Sequence, residues 1–364
     1  MTLPTTMAAV LLTGHGGPEK LEYRTDVPVP TPGDDEVLIQ VEAAGINNTD
    51  INTRIGWYSK SVTGDTNSTA GGAGSADADD ASWSGVPLAF PRIQGGDVYG
   101  TVVATGAHVD ANRLGDRVIV RNLMRHYVDR RPYECWTYGS DCDGGFAQFA
   151  VAPSSEAYTI ESELSPVELG AIPIAYSTAE GMLHRANLGA EKVVITGASG
   201  GVGLAAVQLA KLRGAEVTAI CSPSKADVVR EAGADHVVAR GADLTQAIGA
   251  RSMDMVVDVV GGNGVADLLS LLRRGGRYAI AGAIGGPLAE VDLRTIYLND
   301  LSLFGCTFQE DEVFENLVGY INNGQIRPLV SKTYPLNEVH RAQEDFISKR
   351  FAGKLVLVPP AVGS

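Results

Sequence analysis

Two kinds of apolar pattern divide this chain. Over residues 160–310, compact runs of β-branched and aliphatic residues alternate with Ala/Leu-rich stretches whose apolar positions recur every three or four residues. Val193-Val-Ile-Thr196, Glu216-Val-Thr-Ala-Ile220, Met255-Val-Val-Asp-Val-Val260 and Arg277-Tyr-Ala-Ile-Ala-Gly282 are the clearest runs. Near-continuous apolar strands of this length belong inside a parallel sheet covered on both faces. The stretches between them, such as Leu204-Ala-Ala-Val-Gln-Leu-Ala210 and 264–273, predict helices, and strand–helix alternation predicts a doubly wound α/β domain. Before residue 155 the runs are shorter and bounded by Gly and Pro, as in Val37-Leu-Ile-Gln-Val-Glu-Ala43 and Gly100-Thr-Val-Val-Ala-Thr-Gly106. They predict a β-rich domain. A helix over 312–322 and a strand over 353–358 follow. The expected division is a β-rich domain at 1–158, completed by 312–364, and a doubly wound domain at 159–311.

The first strand of the doubly wound domain runs into Gly197-Ala-Ser-Gly-Gly-Val-Gly203 and then into a helix. Small residues at such a turn let backbone approach a ligand, and the N–H groups of Ser199, Gly200, Gly201 and Val202 at the helix start suit a pyrophosphate. Ala198 stands where the first glycine of a G-x-G-x-x-G turn would be. A second strand ends about 20 residues on, where dinucleotide folds recognise the ribose. That end reads Ile220-Cys-Ser-Pro-Ser-Lys225 and carries no carboxylate. Ser222, Lys225 and the nearby Arg240 suit a 2′-phosphate, so the expected cofactor is NADPH. Gly282, Ala283 and Ile284 follow a later strand end and are expected to flank the nicotinamide.

Between Tyr58 and Phe90 the chain is dominated by Gly, Ser, Ala, Thr and Asp. This composition cannot build a core and predicts a mobile loop, either a tolerated surface insertion or a lid with Tyr58 and Trp83 at its ends. The 29 basic and 43 acidic residues give a net charge of −14, which argues against nucleic acid or an anionic membrane surface as partner. Cys135, Cys142, Cys221 and Cys306 are too few and scattered for a disulfide framework. No basic leader and no membrane-length apolar run is evident, so the cytoplasm is the expected location.

Several further motifs carry a resemblance: His15-Gly-Gly-Pro-Glu-Lys-Leu-Glu22, Pro32-Gly-Asp-Asp-Glu-Val-Leu38, Ala44-Gly-Ile-Asn-Asn-Thr-Asp50, Gly144-Gly-Phe-Ala-Gln148 and Gly353-Lys-Leu-Val-Leu357. With the glycine turn they resemble the medium-chain dehydrogenase/reductases, a superfamily of zinc alcohol dehydrogenases and zinc-free quinone and enoyl reductases. The resemblance implies a Rossmann domain beside a GroES-like catalytic domain. It implies a homodimer joined along 302–308, where the apolar run would otherwise be an exposed sheet edge.

Where zinc members of the family carry their metal ligands, this chain has Asn47, the run Gly95-Gly-Asp97 and Ile174. Carboxamide and aliphatic groups cannot replace thiolate and imidazole on Zn²⁺. The expectation is a zinc-free oxidoreductase that passes hydride to a quinone, enone or enoyl substrate. The alternatives are an alcohol or aldehyde dehydrogenase and a nucleotide-binding protein without turnover.

The resemblance makes Tyr58 a hydrogen-bond donor to a substrate oxygen, against a packing role. Asn47 becomes a donor to substrate or ribose, and Thr49 a relay hydroxyl or a turn cap. Thr178 and Lys354 match cofactor contacts, Lys354 having an exposed strand-edge position as its alternative. Asp50 is read as a backbone-fixing group, and Asp97 as one half of an ion pair with Arg54 or Arg92.

Overall fold

The computed structural model describes residues 3–70 and 79–363. The chain divides into two compact units: residues 1–62, 67–174 and 318–364 form one, and residues 63–66 and 175–317 the other. The split falls inside the helices Pro173–Arg185 and Asp311–Asn322. Among the described residues, no helix is long and apolar enough to cross a membrane.

In the second unit six strands form one parallel sheet, ordered His236–Ala239, Glu216–Cys221, Lys192–Ile195, Met253–Asp258, Leu272–Ile280 and Ser302–Gly305. The inner strands are apolar on both faces because both faces are covered: Val193, Val194, Ile195, Val256 and Val257 are fully buried. The chain starts at Lys192–Ile195, works outward to one edge, and returns to continue from Met253–Asp258 to the other. The carboxyl ends of those two central strands mark the switch point at which open α/β sheets bind ligands.

The first unit is built around the bent strand Glu36–Gly45. One edge of it pairs with Tyr99–Thr105. The other pairs first with Phe149–Pro153 and then with Lys354–Val358, in the register Val356 to Gly45 and Leu357 to Ala44. The C-terminal strand thus returns to the first unit and lies beside the residues that lead into Asn47. Buried Leu38, Ile39, Phe146, Phe149, Tyr334 and Leu355 belong to one apolar cluster.

The expected mobile loop between Tyr58 and Phe90 is corrected by the structure over its described parts. Ser59, Thr66, Ala70, Ala81 and Ser82 are buried. The Asp80 carboxylate accepts the backbone N–H of Lys60 at 3.0 Å, and the Ser84 hydroxyl donates to Asp141 at 2.6 Å. Discrete polar anchors hold this segment where no apolar stripe could. Residues 71–78, to which the expectation also extended, lie outside the described residues.

Candidate active site

The helix Asn48–Ile55 begins where Glu36–Gly45 ends, and its start is locked twice. Asn47 and Asp50 form a reciprocal capping box, with the Asn47 backbone N–H donating to Asp50 Oδ2 at 2.7 Å. Burial pushes the Asp50 carboxyl up to about 7, against the Asn47 N–H and the Lys354 cation, which favour its charged form. Asp50 therefore fixes the local backbone, in the role expected of it.

Asn47 faces inward. Its Nδ2 donates to Asp97 Oδ2 at 2.8 Å, and its Oδ1 accepts from Lys354 Nζ at 2.5 Å. Lys354 Nζ also donates to Asp97 Oδ2 at 2.8 Å and to the Ile46 carbonyl at 3.0 Å, so three acceptors meet its three donors. Asp97 Oδ1 takes the backbone N–H of Ile174 at 2.6 Å. Lys354 is 3 % exposed and Asp97 fully buried, so Lys354 is not an exposed strand-edge lysine, and its donors are spent on groups of this chain rather than on a cofactor.

The expected partners of Asp97 are corrected too. Arg92 pairs with Asp143. Arg54 donates to the Gly16 carbonyl, Gln343 Oε1 and the Ala70 carbonyl, and burial lowers its guanidinium to about 10. Gly45 is glycine because a Cβ there would lie 2.4 Å from Asp97 Oδ2 and 2.7 Å from the Gly170 carbonyl. Of the three positions compared with zinc ligands, Asn47 and the run ending at Asp97 thus bond to a lysine ammonium, and Ile174 bonds to Asp97. Among the described residues no group of three His, Cys, Asp or Glu is placed to hold a metal. Burial raises Cys135 to about 11 and Cys142 to about 12.

Thr49 lies in the first turn of this helix and Tyr58 three residues beyond its end, both half-buried. The Tyr58 hydroxyl donates to Thr49 Oγ1 at 3.1 Å. Two hydroxyls sharing one hydrogen bond leave a second O–H to donate elsewhere. Burial pushes the Tyr58 phenol up to about 12, against its hydrogen bonds with Thr49 and Asn52, so it is a neutral donor near pH 7. Its ring lies at 81° to that of Trp57, and its face stacks on Trp83 with centroids 5.4 Å apart and planes inclined by 26°.

In the second unit Gly200 caps the helix Gly201–Leu212. Gly197 has φ +56°, and a Cβ on Gly203 would lie 2.2 Å from the Gly197 carbonyl. Gly203 thus lets the helix pack onto the turn, while Ser199, Gly200, Gly201 and Val202 keep exposed surface. The first N–H groups of the helix have no intrahelical acceptor. This cradle fits a pyrophosphate.

At the end of the next strand lie Ser222 and Lys225, with Arg240 donating its backbone N–H to the Cys221 carbonyl at 2.7 Å. Burial, followed by the neighbouring Arg240 cation, lowers the Lys225 ammonium. Two cations thus converge on a strand end without a carboxylate. Gly282, Ala283 and Ile284 are half-buried beyond Leu272–Ile280, and Thr178 lies half-buried in Pro173–Arg185.

Sequence reasoning missed the group that ties these loops together. Buried Asp258, at the end of Met253–Asp258, accepts from Thr196 Oγ1 at 2.5 Å and from the backbone N–H groups of Val260 and Gly261 at 2.8 and 3.2 Å. It also accepts from the Tyr278 hydroxyl. Thr196 Oγ1 in turn accepts the Val259 N–H at 3.1 Å. One carboxylate thereby joins the ends of three adjacent strands. The signal was a lone acid inside the apolar run Met255–Val260.

Two family models match the chain: the alcohol dehydrogenase GroES-like domain over residues 33–162, and the zinc-binding dehydrogenase over 201–323. A quinone oxidoreductase from Lama guanicoe is 30% identical over 367 residues, covering 97% of each chain. A solved structure from Sinorhizobium meliloti 1021, provisionally named an alcohol dehydrogenase, is 45% identical with a TM-score of 0.88, covering 98% of each chain. A thermostable alcohol dehydrogenase from Pyrobaculum aerophilum is 30% identical with a TM-score of 0.80, covering 97% of this chain and all of that one.

Removing the Lys354 cation leaves Asp97 buried and uncompensated, so Lys354→Met is expected to cost about 3–5 kcal/mol in urea unfolding. Adding Asp97→Asn should recover part of that loss; a single variant within 1 kcal/mol of wild type would show that the pair is not a structural tie. With its GroES-like and doubly wound units, its relatives' shared length and its glycine turn, the chain belongs to the medium-chain dehydrogenase/reductase superfamily and is an oxidoreductase of that family.

Proposed function

We propose that this protein is a zinc-independent, NADPH-dependent reductase of conjugated carbonyl compounds: quinones, enones or enoyl thioesters. The observation that carries the reading is the Asn47–Asp97–Lys354 cluster, in which a lysine ammonium bonds to Asn47, which stands at a metal-ligand position of the zinc members. The quinone oxidoreductase relatives support the substrate class.

When bound, the nicotinamide supplies a hydride, with Ser199, Gly200, Gly201 and Val202 holding the pyrophosphate and Thr178, Gly282, Ala283 and Ile284 the nicotinamide end. Ser222, Lys225 and Arg240 receive the 2′-phosphate. The catalytic residues are Tyr58 and Thr49, whose paired hydroxyls present a donor to the acceptor's carbonyl oxygen as negative charge grows on it. Asn47 acts through the helix start that it caps, and Lys354 through Asn47 and Asp97.

The test is oxidation of NADPH with quinones, enones and short aldehydes in the presence of a chelator. Quinone or enone turnover is expected, with Tyr58→Phe lowering kcat about 10²-fold. Chelator-sensitive oxidation of simple alcohols alone would favour the dehydrogenase alternative.

Lys225→Ala with Arg240→Ala should raise the KM for NADPH by roughly 10- to 100-fold, the value of charge-assisted phosphate contacts, and leave that for NADH within about twofold. An equal change for both nucleotides would remove the assignment of the 2′-phosphate site.

The edge strand Ser302–Gly305 exposes Leu303, and Leu288, Leu293, Tyr297 and Leu298 are more than half exposed in the same unit. An unpaired edge among apolar side chains favours pairing with a second copy. We therefore propose a homodimer through this edge. Light scattering at micromolar concentration should return twice the chain mass, and Leu303→Lys should shift it toward the monomer; a monomeric wild type would end the proposal.

A further inference from the structure

Trp83 is the sole aromatic residue between Tyr58 and Phe90, in a segment dominated by small and polar side chains. It is half-buried and so does not serve as core filling. The chain on either side of it is fixed. Ala81 and Ser82 are buried, Asp80 accepts the Lys60 N–H and is held below the usual carboxylate range by that bond and by the Ser59 hydroxyl, and Ser84 donates to Asp141. The indole is therefore presented at a set position. Its ring stacks on Tyr58, whose other neighbour, Trp57, is buried and lies nearly perpendicular to it with centroids 5.8 Å apart. Tyr58 is thus gripped on two sides, with its hydroxyl directed to Thr49.

We propose that Trp83 is a specificity-determining residue of the acceptor site, favouring flat, conjugated carbonyl compounds over small aliphatic ones. The proposal rests on the reading of Tyr58 and Thr49 as the hydroxyls that meet the acceptor oxygen. An indole carries electron-rich faces, and the ring of a quinone fused to arenes is flat and electron-poor. Stacking between two such surfaces adds to the burial of area, whereas a small aliphatic enone has too little face to gain from it. One face of the indole is covered by the Tyr58 ring, and its half-exposed remainder, beside a carbonyl-oxygen donor, is the surface that supplies this contact. Trp83 takes no part in proton transfer. It acts on binding, and so on KM more than on kcat.

The experiment compares wild type with Trp83→Ala and Trp83→Phe, using phenanthrenequinone as the flat acceptor and cyclohexenone as the small one. The ratio of kcat/KM for the flat to the small acceptor should fall about tenfold in Trp83→Ala, mostly through KM, and recover in part in Trp83→Phe. A calorimetric titration with phenanthrenequinone, without nucleotide, should show about tenfold weaker binding to Trp83→Ala. Equal losses for both acceptors would reduce Trp83 to a prop for Tyr58 and overturn the proposal, as would an unchanged ratio. If wild type reduces neither acceptor, the reductase reading falls, and the titration still decides: weaker binding to the variant upholds the role of Trp83, and equal or absent binding overturns it.

Discussion

A lysine ammonium and an aspartate carboxylate, both removed from water, organise the first unit. A buried charge persists only when its partner and its remaining donors or acceptors are satisfied, and the bonds around Lys354 and Asp97 meet that condition. They draw in the Ile46 carbonyl, the Asn47 side chain and the Ile174 N–H. The helix start at Asn47, the glycine pair before Asp97 and the strand that opens with Lys354 are thereby held in one arrangement. Because Thr49 lies in the first turn of that helix and Tyr58 shortly beyond it, the position of both hydroxyls descends from this ion pair. Gly45 and Gly96 follow from the same constraint, since the space their missing side chains would take is filled by Asp97, Gly170 and Ile174.

The second unit uses a carboxylate for a different purpose. Asp258 has no cation among its hydrogen-bond partners; two hydroxyls and two backbone N–H groups satisfy it. Hydrogen bonds to ionised groups are stronger than those between neutral groups, so a single acid can align three strand ends. Desolvation, followed by the adjacent Asp258 charge, holds the Tyr278 phenol above its usual range and keeps it a donor. The glycine turn after Thr196 and the turn through Gly261 and Gly262 consequently start from a common point.

How much of this was legible in the sequence depended on the range of the interaction concerned. The parallel strands were plain because burial on both faces leaves unbroken apolar runs, and the glycine turn because it needs small residues in fixed succession. The capping box of Asn47 and Asp50 is local, and Asp50 was read in its role. The partner of Asp97 was not legible: 257 positions separate it from Lys354, and no periodicity links two charges that far apart. The segment after Tyr58 was misread because small polar residues carry no apolar signal. Its order comes from individual bonds, such as Asp80 to the Lys60 N–H, which composition cannot reveal. Tyr58 and Thr49 were each singled out, but their pairing required the geometry of one helix and its exit.

The return of the C-terminal strand to the first unit also orders the events of biosynthesis. Asn47 emerges from the ribosome 307 residues ahead of Lys354, with all of the second unit translated in between. Domains whose chain is complete can fold while synthesis continues. The parallel sheet has that opportunity, whereas Asp97 must wait for its cation and the helix that carries Thr49 for its anchor. The nascent first unit therefore carries an unmet charge through most of its translation, and the Thr49 and Tyr58 hydroxyls reach their places only after the second unit is already made.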